Sequence, residues 1–221
     1  MDAGHARHTY CAMVTRLFLA AFPLAGVYLA DLATEATDTA MVGRLGATEV
    51  AAVGLGTTII FLYTVFFMSV PSPADVFVAE RNVQGDRMGA VEGAQHGLWL
   101  SLALIVPAMI LVWWLRPILE ATGQTPEIAA LVQDYAVEVS PAFIAWAAFS
   151  TLDFFVAALG RPGLAFTCAW VGVALNAIGN YCLIYGHFGF PHLGVVGAAY
   201  ATVFAAFANL LTALEKGGRL C

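Results

Sequence analysis

Apolar residues fall in six long stretches separated by short polar ones. They run Val14 to Ala36, Val50 to Ala79, Gly93 to Leu115, Ile128 to Leu159, Gly163 to Tyr185 and Gly194 to Leu214. A helix of about 20 apolar residues crosses the hydrocarbon core of a bilayer, so each stretch is long enough. The second and fourth exceed that length and are read as tilted, kinked or extended beyond the membrane. Pro71 and Pro73 interrupt the second, and Pro141 the fourth. Membranes tolerate such breaks where neighbouring helices or water satisfy the freed backbone groups. The pattern predicts an all-α polytopic membrane protein: a tail over 1–13, a six-helix bundle over 14–214 and a second tail over 215–221.

Composition closes off the alternatives. The chain has 221 residues, 61% of them hydrophobic and 11% charged, with a mean hydropathy of +0.81. A soluble domain is about one quarter charged, so too few charges remain to cover a water-soluble globule. Disorder requires low hydrophobicity and is excluded as well. Nine Lys and Arg stand against fifteen Asp and Glu, which leaves no basic excess for nucleic acid. Cys11, Cys168, Cys182 and Cys221 have neither CxxC spacing nor a His at metal-ligand spacing, and read as neither a disulfide frame nor a zinc site. The N-terminal apolar run is too long for a secretory signal, and the chain stays hydrophobic after it. No HExxH occurs, and Ser69, Ser72, Ser101, Ser140 and Ser150 lack the Gly-x-Ser context of an intramembrane protease. An enzyme is therefore not expected.

Loop charges orient the spans. With the N-terminus in the cytoplasm, Arg7, Arg16, Arg81, Arg87, Arg161, Lys216 and Arg219 fall inside, and Arg44 and Arg116 outside. That asymmetry follows the positive-inside rule, and a count of five or seven spans would scramble it. The expected location is the cell (inner) membrane. Trp113, Trp114 and Tyr185 lie where an aromatic belt would, although ordinary packing accounts for them equally well.

Acidic residues interrupt the first span. Asp31, Glu35 and Asp38 are spaced i, i+4, i+7 and project from one helical face. A charge near the bilayer centre costs at least about 2.5–3.5 kcal/mol, so the stripe is not expected to face lipid. Carboxyl groups in such a place take up and release protons or hold a cation; a solvated helix end is the competing reading, strongest for Asp38. Pro23 can kink the same span. Asp75, Asp134, Glu138 and Asp153 also lie in or beside spans, with the Asp134 and Glu138 pair read as a solvated helix end. In the fifth span Asn176 and Asn180 are one turn apart, and buried amides in lipid need partners. They read either as glue between helices or, opposite an acidic first helix, as part of a polar site to which Thr202 can add a hydroxyl.

Two stretches carry a resemblance. Asp38 to Gly56 reads DTAMVGRLGATEVAAVGLG, and Asn176 to Thr202 reads NAIGNYCLIYGHFGFPHLGVVGAAYAT. Together they resemble the multidrug and toxic compound extrusion (MATE) family of cation-coupled antiporters, from about Leu17 to Leu211. The resemblance implies a twelve-helix transporter of two six-helix lobes, of which this chain is equivalent to the N-lobe. It implies Asp38 as a cation- or proton-binding carboxylate, with Asn176, Asn180 and Thr202 in the same site, Pro23 as the helix kink, and no metal beyond Na+ at Asp38. No cofactor is implied, only H+ or Na+ as coupling ion. The implied partners are the lipid bilayer, a small organic substrate, and a C-lobe or second half-transporter. Asp31 and Glu35 depart from the family pattern; they add negative charge to the cavity and favour cationic substrates. Glu80 stands where the family usually has Gln. Two alternatives accompany this reading: a non-functional fragment, and a lipid-linked oligosaccharide flippase of the same superfamily, whose pyrophosphate substrate fits an acidic cavity poorly.

Overall fold

A computed structural model describes residues 3–70, 72–158 and 163–218; the side chains of residues 1–20, 24, 66–68, 72, 75, 154, 156–158, 164–165 and 216–218 also lie outside the description. Within it the chain is α-helical throughout. The elements are α1 (Ala3–Val42), α2 (Ala47–Ser69), α3 (Ser72–Val83), α4 (Arg87–Trp113), α5 (Leu115–Ala121), α6 (Pro126–Val139), α7 (Ala142–Ala158), α8 (Gly163–Tyr185) and α9 (Val195–Gly218), with a 3-10 turn at His187–Gly189 before α9.

Each of the six expected apolar stretches falls largely in helix among the described residues, several of them broken, and five of the six meet the length and hydropathy of a membrane span. Among the described residues, Ala47–Val65, Arg87–Trp113, Phe166–Tyr185 and Val195–Glu215 are long and apolar enough to cross a membrane, and α6 with α7 forms a further span bent by 51°. The first expected span lies inside α1, which is continuous from Ala3, so the expected tail over 1–13 is helix from residue 3. Pro23 sits inside that helix. The second expected span divides: α2 ends at Ser69 and α3 begins at Ser72. Arg161 and Arg219 lie outside the described residues, as do the side chains of Arg7, Arg16, Asp75 and Lys216.

Prolines explain two of the breaks. Pro141 has no N–H to give the Val137 carbonyl, so α6 stops at Val139. The Ser140 hydroxyl takes over, donating to that carbonyl at 2.6 Å. Pro117 likewise has nothing to give Trp113, where α4 ends. Here the side chain of Gln133, from α6, enters the helical ladder. The Arg116 N–H donates to Gln133 Oε1 at 2.8 Å, and Gln133 Nε2 donates to the Val112 carbonyl at 2.9 Å. One amide thus replaces the missing 116-to-112 backbone bond and ties α6 to the α4–α5 corner. Trp113 and Trp114 stand 67% and 65% exposed at this corner, where a membrane-interface belt would place them.

Helix ends are fixed locally. Asp86 caps α4 by accepting from the Gly89 N–H at 2.9 Å, and pairs with Arg81 at 3.1 Å. Thr125 caps α6 ahead of Pro126, a residue suited to a first helical position. Gly186 terminates α8 in a left-handed conformation (φ 71°) that a side chain would strain.

The interior is built of small and branched residues. Val42, Ala52, Val53, Val112, Val132, Ala198 and Ala199 form its centre with Tyr135 and Ile184. α8 packs most extensively on α9, and α1 lies on α8. This trio positions the site.

Candidate functional site

Asp38 sits one turn before the end of α1, and only 2% of its surface is exposed. Two neighbouring helices supply its partners. From α8, Asn180 Nδ2 donates to Asp38 Oδ1 at 2.5 Å. From α9, the Thr202 hydroxyl lies 3.1 Å from Asp38 Oδ2 and 3.0 Å from the Ala198 carbonyl, so its single proton serves one or the other. Asn176, one turn from Asn180, accepts from Asn180 Nδ2 at 3.1 Å and donates to Thr202 at 3.2 Å. The four residues form one closed network in which Asn176 and Asn180 are wholly buried. The solvated-end reading of Asp38 fails on this geometry, because three helices enclose the carboxylate.

Two features mark the network as incomplete. Arg81 pairs with Asp86 and Arg116 with Glu120, and neither ion pair includes Asp38. Asn180 Oδ1 is buried and accepts no hydrogen bond. A buried carboxylate without a counter-cation costs several kcal/mol, on the order of a whole ion's desolvation penalty, and a buried unpaired amide oxygen costs about 1–3 kcal/mol more. A proton or a small cation at Asp38 answers the first deficit. A cation with oxygen ligands also answers the second.

The other acids of the first span are placed differently. Glu35 is half-buried and Asp31 is exposed on the surface of the lobe. The stripe therefore runs from an enclosed carboxylate to an open one. Glu138 lies beside Tyr200, and Asp134 is exposed.

Three residues of the surroundings were not singled out from sequence as site elements. Tyr135, 2% exposed, lies within electrostatic reach of Asp38 and Glu35. It packs across Gly56, where a Cβ would come within 3.0 Å of its ring. The Tyr185 hydroxyl donates to the Met41 carbonyl at 2.6 Å, pinning the end of α8 to the end of α1 beside Asp38. Tyr185 is thus a strut between helices, the packing role left open for it. Gly56 and Tyr185 stand inside the two resembling stretches, which was the available signal; Tyr135 carries none beyond its place between Asp134 and Glu138.

Known proteins match this arrangement. The sequence profile of the MatE family matches residues 23–182. A probable multidrug resistance protein NorM of Rhizobium meliloti (strain 1021) is 37% identical over 184 residues, covering 83% of this chain and 39% of the relative. A probable multidrug resistance protein NorM of Pseudomonas aeruginosa is 35% identical over 180 residues, covering 81% and 37%. The chain therefore spans about two fifths of these relatives' length. Among solved structures, the eukaryotic MATE transporter AtDTX14 superposes with a TM-score of 0.84 at 18% identity, covering 92% of this chain and 45% of that one. A MATE in the bent conformation superposes with a TM-score of 0.79 at 23% identity, covering 90% and 44%. These two likenesses concern the fold. On the profile match and the relatives, the chain belongs to the MATE family of membrane transporters and corresponds to its N-terminal lobe.

Proposed function

We propose that this chain is the ion-coupling lobe of a cation-driven antiporter that exports organic, chiefly cationic, compounds. The observation that carries this reading is the enclosed Asp38 carboxylate, held by Asn180 and Thr202 with no cationic side chain among its described hydrogen-bond and ion-pair partners. Uptake of H+ or Na+ neutralises Asp38 and removes the electrostatic cost of closing the lobe around it. Release of that ion on the opposite side restores the charge and favours reopening. Moving one charge through 100 mV yields about 2.3 kcal/mol, enough for a substrate gradient of about fiftyfold at about 1.4 kcal/mol per decade.

Substrate passes between this lobe and a second one, a C-lobe or another half-transporter. Asp31 and Glu35 lie on the accessible part of the α1 stripe and make the cavity negative, which concentrates cations. The loop charges support a cytoplasmic N-terminus in the inner membrane.

The test is dye efflux from everted vesicles carrying this chain together with the C-terminal lobe of a NorM relative. Ion-driven efflux of a fluorescent organic cation is expected, and Asp38→Asn is expected to abolish it. Efflux that persists unchanged in Asp38→Asn, still driven by the ion gradient, contradicts the proposal.

A further inference from the structure

Two wholly buried side-chain oxygens among the described residues accept no hydrogen bond, and both are amide carbonyls on the α8–α9 pair. One is Asn180 Oδ1, beside Asp38. The other is Asn209 Oδ1, which lies outside the Asp38 network.

Asn209 follows Thr202 by seven residues, two turns along the same face of α9. At about 1.5 Å per residue it stands roughly 10 Å from Thr202, toward the end at which α9 finishes. On α8, Gly172 precedes Asn176 by one turn on the same face. Asn176 meets Thr202 across the seam, and one level further along Gly172 meets Asn209. A Cβ on Gly172 would overlap the Asn209 amide, so the glycine is what seats that amide between the helices. Between the two levels α9 presents Ala205 and Ala206, both buried. The α8–α9 seam is therefore polar at two depths, separated by small methyl side chains, and an unpaired amide oxygen stands at each depth.

We propose that Asn209, seated on Gly172, is a second station for the coupling cation, between the Asp38 site and the membrane face where α9 ends. The proposal rests on the ion-coupling reading of Asp38. The amide oxygen is not itself protonated. It accepts a hydrogen bond from the water that carries the proton, or ligates Na+, and passes the ion along the seam to Asp38. Asn209 is half-buried, open enough for water to reach it from the end of α9, and both ions share the chemistry of a small donor or cation seeking an unpaired oxygen.

The experiment uses this chain in liposomes, with molecules oriented so that the end of α9 faces outward. A pulse of acid, and separately of Na+, is added outside, and the Asp38 carboxyl band is followed by time-resolved infrared spectroscopy. Asn209→Leu is expected to slow the response by about tenfold, the effect of losing one buried acceptor, with its final amplitude unchanged. Gly172→Ala, which dislodges the amide, is expected to slow it too, and Asn209→Gln to restore much of the rate. The retained amplitude shows that the Asp38 site is intact in each variant. Wild-type rates in Asn209→Leu and Gly172→Ala overturn the second station while leaving Asp38 standing. A wild-type chain in which Asp38 answers neither pulse overturns the ion-coupling reading itself, and the second station with it.

Discussion

Asn180 gives one N–H of its amide to Asp38 and lies within reach of Asn176 with the same nitrogen, while its own oxygen stays buried and unpaired. A residue whose only task was to join helices would use its oxygen as well. This one holds a carboxylate in place and keeps an acceptor in reserve beside it. Asn180→Leu removes the donor and strands Asp38 Oδ1. The expected loss is about 1–3 kcal/mol, read as a lower thermal midpoint of the detergent-solubilised chain. Asp38→Asn in the same background is expected to recover part of it, because a neutral amide tolerates the missing donor better than a carboxylate does.

Gln133 replaces the backbone bond between Arg116 and Val112. Gln133→Leu leaves a donor and an acceptor unmatched at the α4–α5 corner. Unfolding stability is expected to fall by about 1–3 kcal/mol, and amide exchange at Arg116 to accelerate. Gln133→Glu keeps the acceptor for the Arg116 N–H and loses only the donor to Val112, so its loss is expected to be the smaller.

Tyr185 tests the strut beside the site. Tyr185→Phe deletes a 2.6 Å bond to the Met41 carbonyl and little else. A loss of about 1 kcal/mol is expected, which lowers Tm by about 2–4 °C for a chain of this size.

Asp31 separates substrate attraction from ion coupling. It is exposed and lies two turns from Asp38. In a paired, transporting assembly, Asp31→Asn is expected to reduce kcat/KM for a cationic dye by about threefold to tenfold through the lost cavity charge. A neutral substrate should be unaffected. An equal loss for both would place Asp31 in the coupling step.

Much of this was legible in the chain itself. Six apolar runs located the helices, because a bilayer demands about 20 apolar residues per crossing whatever the tertiary packing. Asp38, Asn176, Asn180 and Thr202 were nameable because polar groups at such places are costly and so stand out against apolar surroundings. Their mutual contacts were not readable, since the 38-to-180 and 38-to-202 pairings depend on how α1, α8 and α9 cross. Burial separated three acids that spacing had grouped: Asp38 is enclosed, Glu35 half-buried and Asp31 exposed. Gln133 and Tyr135 escaped notice because a glutamine or tyrosine on an amphipathic helix is unremarkable until the neighbouring helix is known. The break in the second span was legible as well: Pro71 and Pro73 interrupt its apolar run, and α2 ends at Ser69 before α3 begins at Ser72.

The half-length match to the relatives makes pairing an experimental question. This chain alone, in everted vesicles, is expected to transport poorly, and addition of a complementary lobe is expected to raise efflux. Rates equal to those of a full-length relative from a monodisperse single lobe would show that one lobe suffices.

The central claim is that Asp38 binds the coupling ion, and infrared difference spectroscopy of this chain in lipid nanodiscs addresses it without any need for transport. The account predicts a carboxyl band that changes between acidic and alkaline pH, or on addition of Na+, and that is missing from Asp38→Asn. Ion-dependent carboxyl bands that are identical in the wild type and Asp38→Asn would contradict it.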